Sequence, residues 1–407
     1  VRITYLHQYF ATPDGSTGTR SYELARRLVA RGHEVTVVTS GAQLPPALRG
    51  TGRGVHRAEV EGVALRVIGV PYRNEMGYRE RLLRFAEFAA RSTVEAARVP
   101  ADVVLASSTP LTIAVPGLAA RLARRAPLVF EVRDLWPELP IAVGALTNPA
   151  LKAAARGLEW VAYHGAAHVI ALSPGMADGV AARGIARDRI TVVPNACDLD
   201  RFAIDPAAGD AVRASVPGLA AGAPLVVYAG ALGRINAVDW LADLAAAVRP
   251  QRPDARFLVV GGGWGRERLL ERGRALGVLD ETLFVRDPVP KRDVPAILAA
   301  ATVACSLFAP IPAMESNSAN KFFDALAAGR PVLIDYGGWH RQLLEETGAG
   351  LAVPFADPPA AATRLCALLG DEAALAGAGA AASRLARERF DRDVLALRFA
   401  AVLEAVG

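Results

Sequence analysis

Cysteine is scarce in this chain: Cys197, Cys305 and Cys366 are widely spaced and odd in number. That excludes a disulfide framework and a CxxC metal site. Long apolar runs are missing as well. Mean hydropathy is +0.25, yet no stretch approaches the ~20 uninterrupted apolar residues of a membrane-spanning helix. Alanine-rich segments such as AVPGLAARLARRA (114–126) are broken by Arg, Gly or Pro. The opening residues, VRITYLHQYF, hold no long apolar core before a small-residue cleavage site, so a secretory leader is not expected there. These features predict a reducing, cytoplasmic setting. The first strand–helix loop has neither GxGxxG nor a Walker lysine. A nucleotide-sugar epimerase or dehydrogenase would need that glycine pattern, and a periplasmic-type two-lobed binding protein would need the leader. No tandem repeat of solenoid length is present.

What is there is a long, well-mixed globular chain. Its 407 residues exceed what one hydrophobic core holds, ~250–300 residues, so two domains are expected. Hydrophobic residues make up 52% and charged residues 21%, a folded and not a disordered balance. Net charge is +5 and the pI about 9.3, which suits an anionic small substrate or an anionic membrane surface; no nucleic-acid partner is expected. β-Branched runs at 3–7, 34–39, 102–107, 128–132, 168–172 and 190–194 alternate with helix-length segments such as RSYELARRLVARG (20–32). The pattern restarts at 224–230, 256–263, 282–287, 302–308, 331–336 and 350–355. This predicts α/β architecture with two doubly wound Rossmann-like domains and ligands at the carboxyl ends of the strands, in a cleft between them. The expected boundaries are an N-terminal domain at 1–204, a linker at 205–223, a second domain at 224–388, and a terminal helix at 389–407 packing back on the first domain.

Four segments carry chemistry. In FATPDGSTGTRSYELARRL (10–28), Gly15, Ser16, Thr17 and Gly18 sit between a strand and a helix, where backbone N–H groups and the helix N-terminus suit an anion. VVPNACDLDRF (192–202) contains an Asp198-x-Asp200 pair, but no further carboxylate or histidine clusters with it, so no metal site is expected. In VYAGALGRINAVDWLADLA (227–245), Arg234 follows a strand through a glycine-rich turn and suits a pyrophosphate. In MESNSANKFFDALAAGRPVLIDYGG (314–338), the polar run Glu315, Ser316, Asn317, Ser318 and Asn320 precedes Lys321 and Asp324 on one helix face. There Lys321 can neutralise phosphate and Asp324 can accept two ribose hydroxyls.

The ordered set PDGSTGTRSYELARRL, VVPNACDLDRF, YAGALGR, FLVVGGG, FVRDPVP and KFFDALAAGRPVL resembles the retaining glycosyltransferases of family 4, which have the GT-B fold. EVRDLWPELP (131–140) and PYRNEMGYRERLLRFAEF (71–88) resemble the envelope-polysaccharide branch that includes fucosamine transferases. The resemblance implies a nucleoside-diphosphate-sugar donor, UDP or GDP, with no other cofactor and no metal. It places Arg234 and Lys321 on the pyrophosphate and Gly15–Gly18 toward the donor phosphates. It puts the base at the 286–289 loop through Arg286 and Val289, the ribose on Asp324, and the donor sugar on Glu315–Ser318. Arg133 and Asp134 fall in the loop that approaches the reacting centre. Two positions depart from the family pattern. Asp324 stands where a Glu is common, with Ser316 eight positions earlier, and Asn236-Ala237 replace the usual Lys-Gly after Arg234.

The acceptor expected from the resemblance is a lipid-linked glycan, with a soluble natural product or small molecule as the alternative. GYRERLLRFAEFAARS (77–92) mixes Arg79, Arg81 and Arg84 with Leu82, Leu83, Phe85 and Phe88. Such a basic amphipathic helix suits peripheral contact with an anionic membrane, here at its inner face, although packing on its own domain explains it equally.

Overall fold

The structure, a computed structural model, describes residues 1–71 and 76–407. Residues 72–75, within the PYRNEMGYRERLLRFAEF motif, therefore lie outside the described residues. The chain divides into two compact units. Unit 1 comprises Val1–Pro194, Ser316–Ser318 and Asp393–Gly407; unit 2 comprises Asn195–Glu315 and Ala319–Arg392.

Unit 1 is built on eight strands: β1 (Arg2–Leu6), β2 (Glu34–Ser40), β3 (Val55–Val60), β4 (Val63–Ile68), β5 (Val103–Ser107), β6 (Leu128–Val132), β7 (His168–Ala171) and β8 (Ile190–Val192). Their order is β3-β4-β2-β1-β5-β6-β7-β8. All neighbours are parallel except the β3–β4 pair. The Val- and Leu-rich β5 and β6 are buried throughout, as strands covered on both faces must be. The β3–β4 hairpin is absent from the sequence reading: β3, VHRAEV, is half polar and lies largely exposed. Its two-residue turn, Glu61-Gly62, has φ of 47° and 76°, the left-handed pair that matches strand twist.

The helices of unit 1 that bear on function are α1 (Arg20–Ala30), α2 (Tyr78–Arg98), α3 (Ala114–Arg124), α4 (Pro149–Gly165) and α5 (Pro174–Ala181). α3 lies between α2 and α4. α4 starts where Asn148 accepts from the N–H groups of Ala150 and Leu151 at 2.9 and 3.2 Å, with Pro149 in its first turn. The C-terminal stretch Asp393–Gly407 joins unit 1: Arg27 pairs with Asp393 at 2.6 Å, and Arg31 and His33 with Glu404 at 3.0 and 2.9 Å.

Unit 2 has six strands: β9 (Leu225–Ala229), β10 (Arg256–Val260), β11 (Leu283–Arg286), β12 (Val303–Ser306), β13 (Val332–Ile334) and β14 (Gly350–Ala352). They run parallel in the order β11-β10-β9-β12-β13-β14. The apolar runs expected as strands coincide with all six. The expected linker does not behave as one. Within 205–223, Asp205 caps helix α6 (Pro206–Ala214) by accepting from Ala207 N–H at 2.9 Å, and Arg213 donates to the Ala300 carbonyl at 2.8 Å. The segment thus packs as part of unit 2. Asp205-Pro206 is the local signal of this helix start.

Candidate functional site

In unit 2 the candidate groups collect where β9 and β10 end. Gly230 has φ of 141°, and a Cβ there would lie 2.7 Å from Lys321 Cε. A Cβ on Gly261 would lie 1.9 Å from the Gly230 carbonyl oxygen. The glycines of YAG and VVGGG are therefore demanded by close backbone packing, and this packing admits the lysine stem. Lys321 sits in the first turn of helix α7 (Asn320–Ala327), whose N-terminus lacks a side-chain cap. Its ammonium lies 5.1 Å from the Tyr228 ring centre. Burial pushes its pKa down to about 8, against the pull of Asp324 and with a further push from Lys291.

Arg234 is exposed and begins a short turn through Asn236. Its guanidinium lies 4.4 Å from the Trp264 ring centre, which Arg268 shares at 5.2 Å. These residues, with Trp240 and Phe355, line a cavity of about 430 Å³. The buried Asn236 accepts from Gly233 N–H at 3.1 Å and donates to the Leu307 carbonyl at 3.3 Å, which sets the turn that carries Arg234. In the sequence Asn236 is only a departure from the family pattern; the fold gives it a positioning role.

Other expected residues already hold protein partners. The Asp324 carboxylate is ion-paired with Lys291. Arg286 donates to the Ser215 hydroxyl at 2.9 Å and the Ser215 carbonyl at 2.6 Å. Arg286 and Val289 do line a common cavity of about 450 Å³ with Leu258, Val260 and Arg292. Glu315 is exposed, and its carboxylate lies 3.0 Å from where a Cβ on Gly337 would stand. Asn320 is partly exposed in the first turn of α7. Asp198 is held by Arg392 in a two-point ion pair. Among the described residues no three His, Cys, Asp or Glu side chains converge as metal ligands.

In unit 1 the structure brings Arg133 and Asp134 together with residues that the sequence reading missed. Arg133 Nη1 donates to His7 Nε2 at 2.8 Å, and His7 Nδ1 lies 2.6 Å from Ser21 Oγ. Burial, then the charges of Arg133 and Arg20, hold the His7 pKa well below the usual range. His7 is thus neutral, with its proton on Nδ1. Asp134 accepts from Thr109 Oγ1 at 2.6 Å and from Asn317 Nδ2 at 3.4 Å, and burial raises its pKa. Ser316 and Ser318 belong to the same unit; the Ser316 carbonyl accepts from Ser173 Oγ at 2.5 Å, and Ser318 is buried. Beneath this group Arg20, 1% exposed, bonds Glu131 at 2.8 Å and the carbonyls of Val193 and Pro194 at 2.8 and 2.5 Å. A signal existed for this pair: Glu131 is the one charged residue in the apolar strand LVFEV. Gly15, Ser16, Thr17 and Gly18 form the loop before α1. A Cβ at Gly15 would meet only ordinary contacts of 3.4 Å, so the protein itself does not require glycine there.

Both sequence halves match known domains. Residues 15–196 match the Glycosyl transferase 4-like domain, and residues 223–371 match Glycosyl transferases group 1. The chain thus carries one region similar to each of these two domains. A D-inositol 3-phosphate glycosyltransferase of Nocardia farcinica is 34% identical over 195 residues, 46% of this chain and 41% of that one. The chain thus spans less than half the length of this relative. The Escherichia coli putative colanic acid biosynthesis glycosyl transferase WcaI is 26% identical, over 69% of this chain and 71% of its own. Among solved structures, Anabaena HepE in complex with UDP and glucose superposes with a TM-score of 0.72, at 19% identity, over 99% of each chain. This likeness shows the fold, GT-B. β2–β8 fall within the region matched by the 4-like domain, and Arg234 and Lys321 within the region matched by group 1.

Proposed function

We propose that this protein is a retaining glycosyltransferase that moves a sugar from a nucleoside-diphosphate-sugar to an acceptor without a metal. The observation that carries the reading is Lys321: its stem is packed on Gly230, and its cation stands at the head of α7 where β9 ends. In the reaction the bond from the anomeric carbon to the diphosphate oxygen breaks, and its electron pair stays on the diphosphate. The acceptor oxygen bonds to the same carbon, and its proton leaves with the diphosphate. Charge grows on the departing oxygen, so Lys321, Arg234 and the free N–H groups of α7 are the groups that stabilise it. In unit 1, the loop Gly15–Gly18 offers backbone N–H groups suited to an anion. The base lies at Arg286 and Val289, and Asp324 exchanges Lys291 for the ribose. Binding of UDP and glucose by HepE supports a UDP-sugar donor.

Lys321→Met keeps the aliphatic stem and removes the charge. Its turnover should fall about 10²–10³-fold in a donor-consumption assay. Near-normal turnover by the folded variant would overturn the assignment. Chelation with excess EDTA should leave activity intact, since the one sequence-level metal pair is tied up through Asp198. Loss of activity restored by Mg²⁺ or Mn²⁺ would reverse that part of the reading.

The acceptor we propose is a lipid-linked glycan, used at the inner face of the membrane. The long alignment with WcaI supports it. A soluble natural-product or small-molecule acceptor is the second reading, supported by the D-inositol 3-phosphate glycosyltransferase of Nocardia farcinica. Transfer of labelled sugar into an organic-extractable or a water-soluble product separates the two.

A further inference from the structure

Five of the exposed large apolar side chains of unit 1 lie on two neighbouring helices. Val115 and Leu122 stand one above the other on α3, and Leu151, Trp160 and Val161 project from α4. Leu122 is 74% exposed and Trp160 56%. The rest of the solvent-facing surface of α4 is Pro149, Ala150, Ala153, Ala154 and Gly157, with Arg156 as its only exposed charge. The one carboxylate of α4, Glu159, is buried and bonded to Arg183 at 3.1 Å. α3 carries no carboxylate at all. It ends in Arg121, Arg124 and Arg125, all exposed and without an ion pair among the described residues. Gly165 lets the two helices meet closely, since a Cβ there would lie 2.6 Å from Leu118.

We propose that the α3–α4 face docks on an anionic lipid bilayer. Its chemistry selects that partner. A shallow apolar surface of Ala and Gly, with protruding Trp160 and Leu122, matches insertion at headgroup depth. The arginines at its edge match anionic headgroups and have no carboxylate on either helix's exposed surface to oppose them. A second copy of the chain placed on this face about a two-fold axis would set arginine against arginine. The face is distinct from the basic run on α2. There Arg81 donates to the Met76 carbonyl at 3.1 Å, and Arg84 pairs with Glu87 at 2.8 Å, so those cations are engaged within the domain. Docking is independent of the transferase reading and holds for any acceptor.

The test is flotation of the full chain with phosphatidylcholine vesicles, with and without phosphatidylglycerol, at low and high salt. The wild type should bind only the anionic vesicles, and salt should weaken the binding. Leu122→Glu/Trp160→Glu should reduce binding about tenfold or more, and so should Arg121→Glu/Arg124→Glu/Arg125→Glu. Arg79→Glu/Arg81→Glu/Arg84→Glu should leave most of it. Because the α3 and α4 positions are exposed, melting temperature and UDP binding should match wild type, which separates lost docking from lost folding. The proposal is overturned if wild type ignores anionic vesicles at low salt, or if the Leu122/Trp160 variant still binds. It is equally overturned if light scattering shows a dimer that the Leu122/Trp160 variant dissociates, since the face would then be a protein interface.

Discussion

Lys321 shows how one side chain can couple fold, pH and ligand. Its burial lowers the ammonium from an ordinary 10.5 to about 8, so it remains largely charged at neutral pH. Affinity for UDP should therefore weaken as pH rises through about 8, followed by calorimetry, while Lys321→Met stays flat over the same range. The unliganded fold responds in the opposite sense. Between about 8 and ~10.4 the unfolded lysine holds more proton than the folded one, so stability rises with pH in that window. Glu131 makes a different argument. Its partner Arg20 is 1% exposed, and a buried guanidinium cannot shed its proton. Glu131→Gln should cost about 3–5 kcal/mol in urea unfolding, the cost of an uncompensated buried charge. Replacing Asp102, whose partner Arg2 is exposed, should cost far less in the same measurement, because solvent screens the pair.

At the scale of the element, regular apolar runs were legible and mixed ones were not. β5, β6, β9 and β10 announce themselves because strands buried on both faces leave only apolar residues to choose from. The β3–β4 hairpin escaped because the exposed β3, VHRAEV, has too few apolar residues to stand out as a strand. Its turn offers a test. Glu61 holds φ of 47°, a region that Asn tolerates better than Glu. Glu61→Asn should stabilise unit 1 by about 0.5 kcal/mol in thermal unfolding. An unchanged or lower stability would show that the Glu61 side chain contributes more than its turn geometry costs. Helix α6 was missed for a related reason: an alanine-rich, solvent-facing helix has little periodic signal, and its Asp205 cap is a single residue.

At the scale of the molecule, the chain leaves unit 1 near Pro194 and returns to it at Asp393. Phe399 is fully buried on that return, 6.0 Å from the Arg20 guanidinium. Deleting residues 393–407 should lower the melting transition of unit 1 while the UDP-induced shift of unit 2 persists. Calorimetry with and without UDP checks this, and a loss of both would mean the units fold as one cooperative body.

The sequence by itself determined the fold class and the two series of long apolar strands, because buried strands and glycine-rich strand ends are local patterns; Arg234 and Lys321 it offered as candidates. Only the tertiary structure decided which charges are available. Lys291 lies 33 positions from Asp324 and still takes its carboxylate; Ser215, from the supposed linker, takes Arg286; Arg392 takes Asp198 from 194 positions away. His7 becomes a neutral acceptor for Arg133 only because the parallel strands β1 and β6 carry both to the carboxyl end of one sheet. Such pairings depend on strand order and crossover, which residue spacing along a chain does not encode. The free face of α3 and α4 has the same origin: spacing identified a helix's sides, and packing decided which side the core left uncovered.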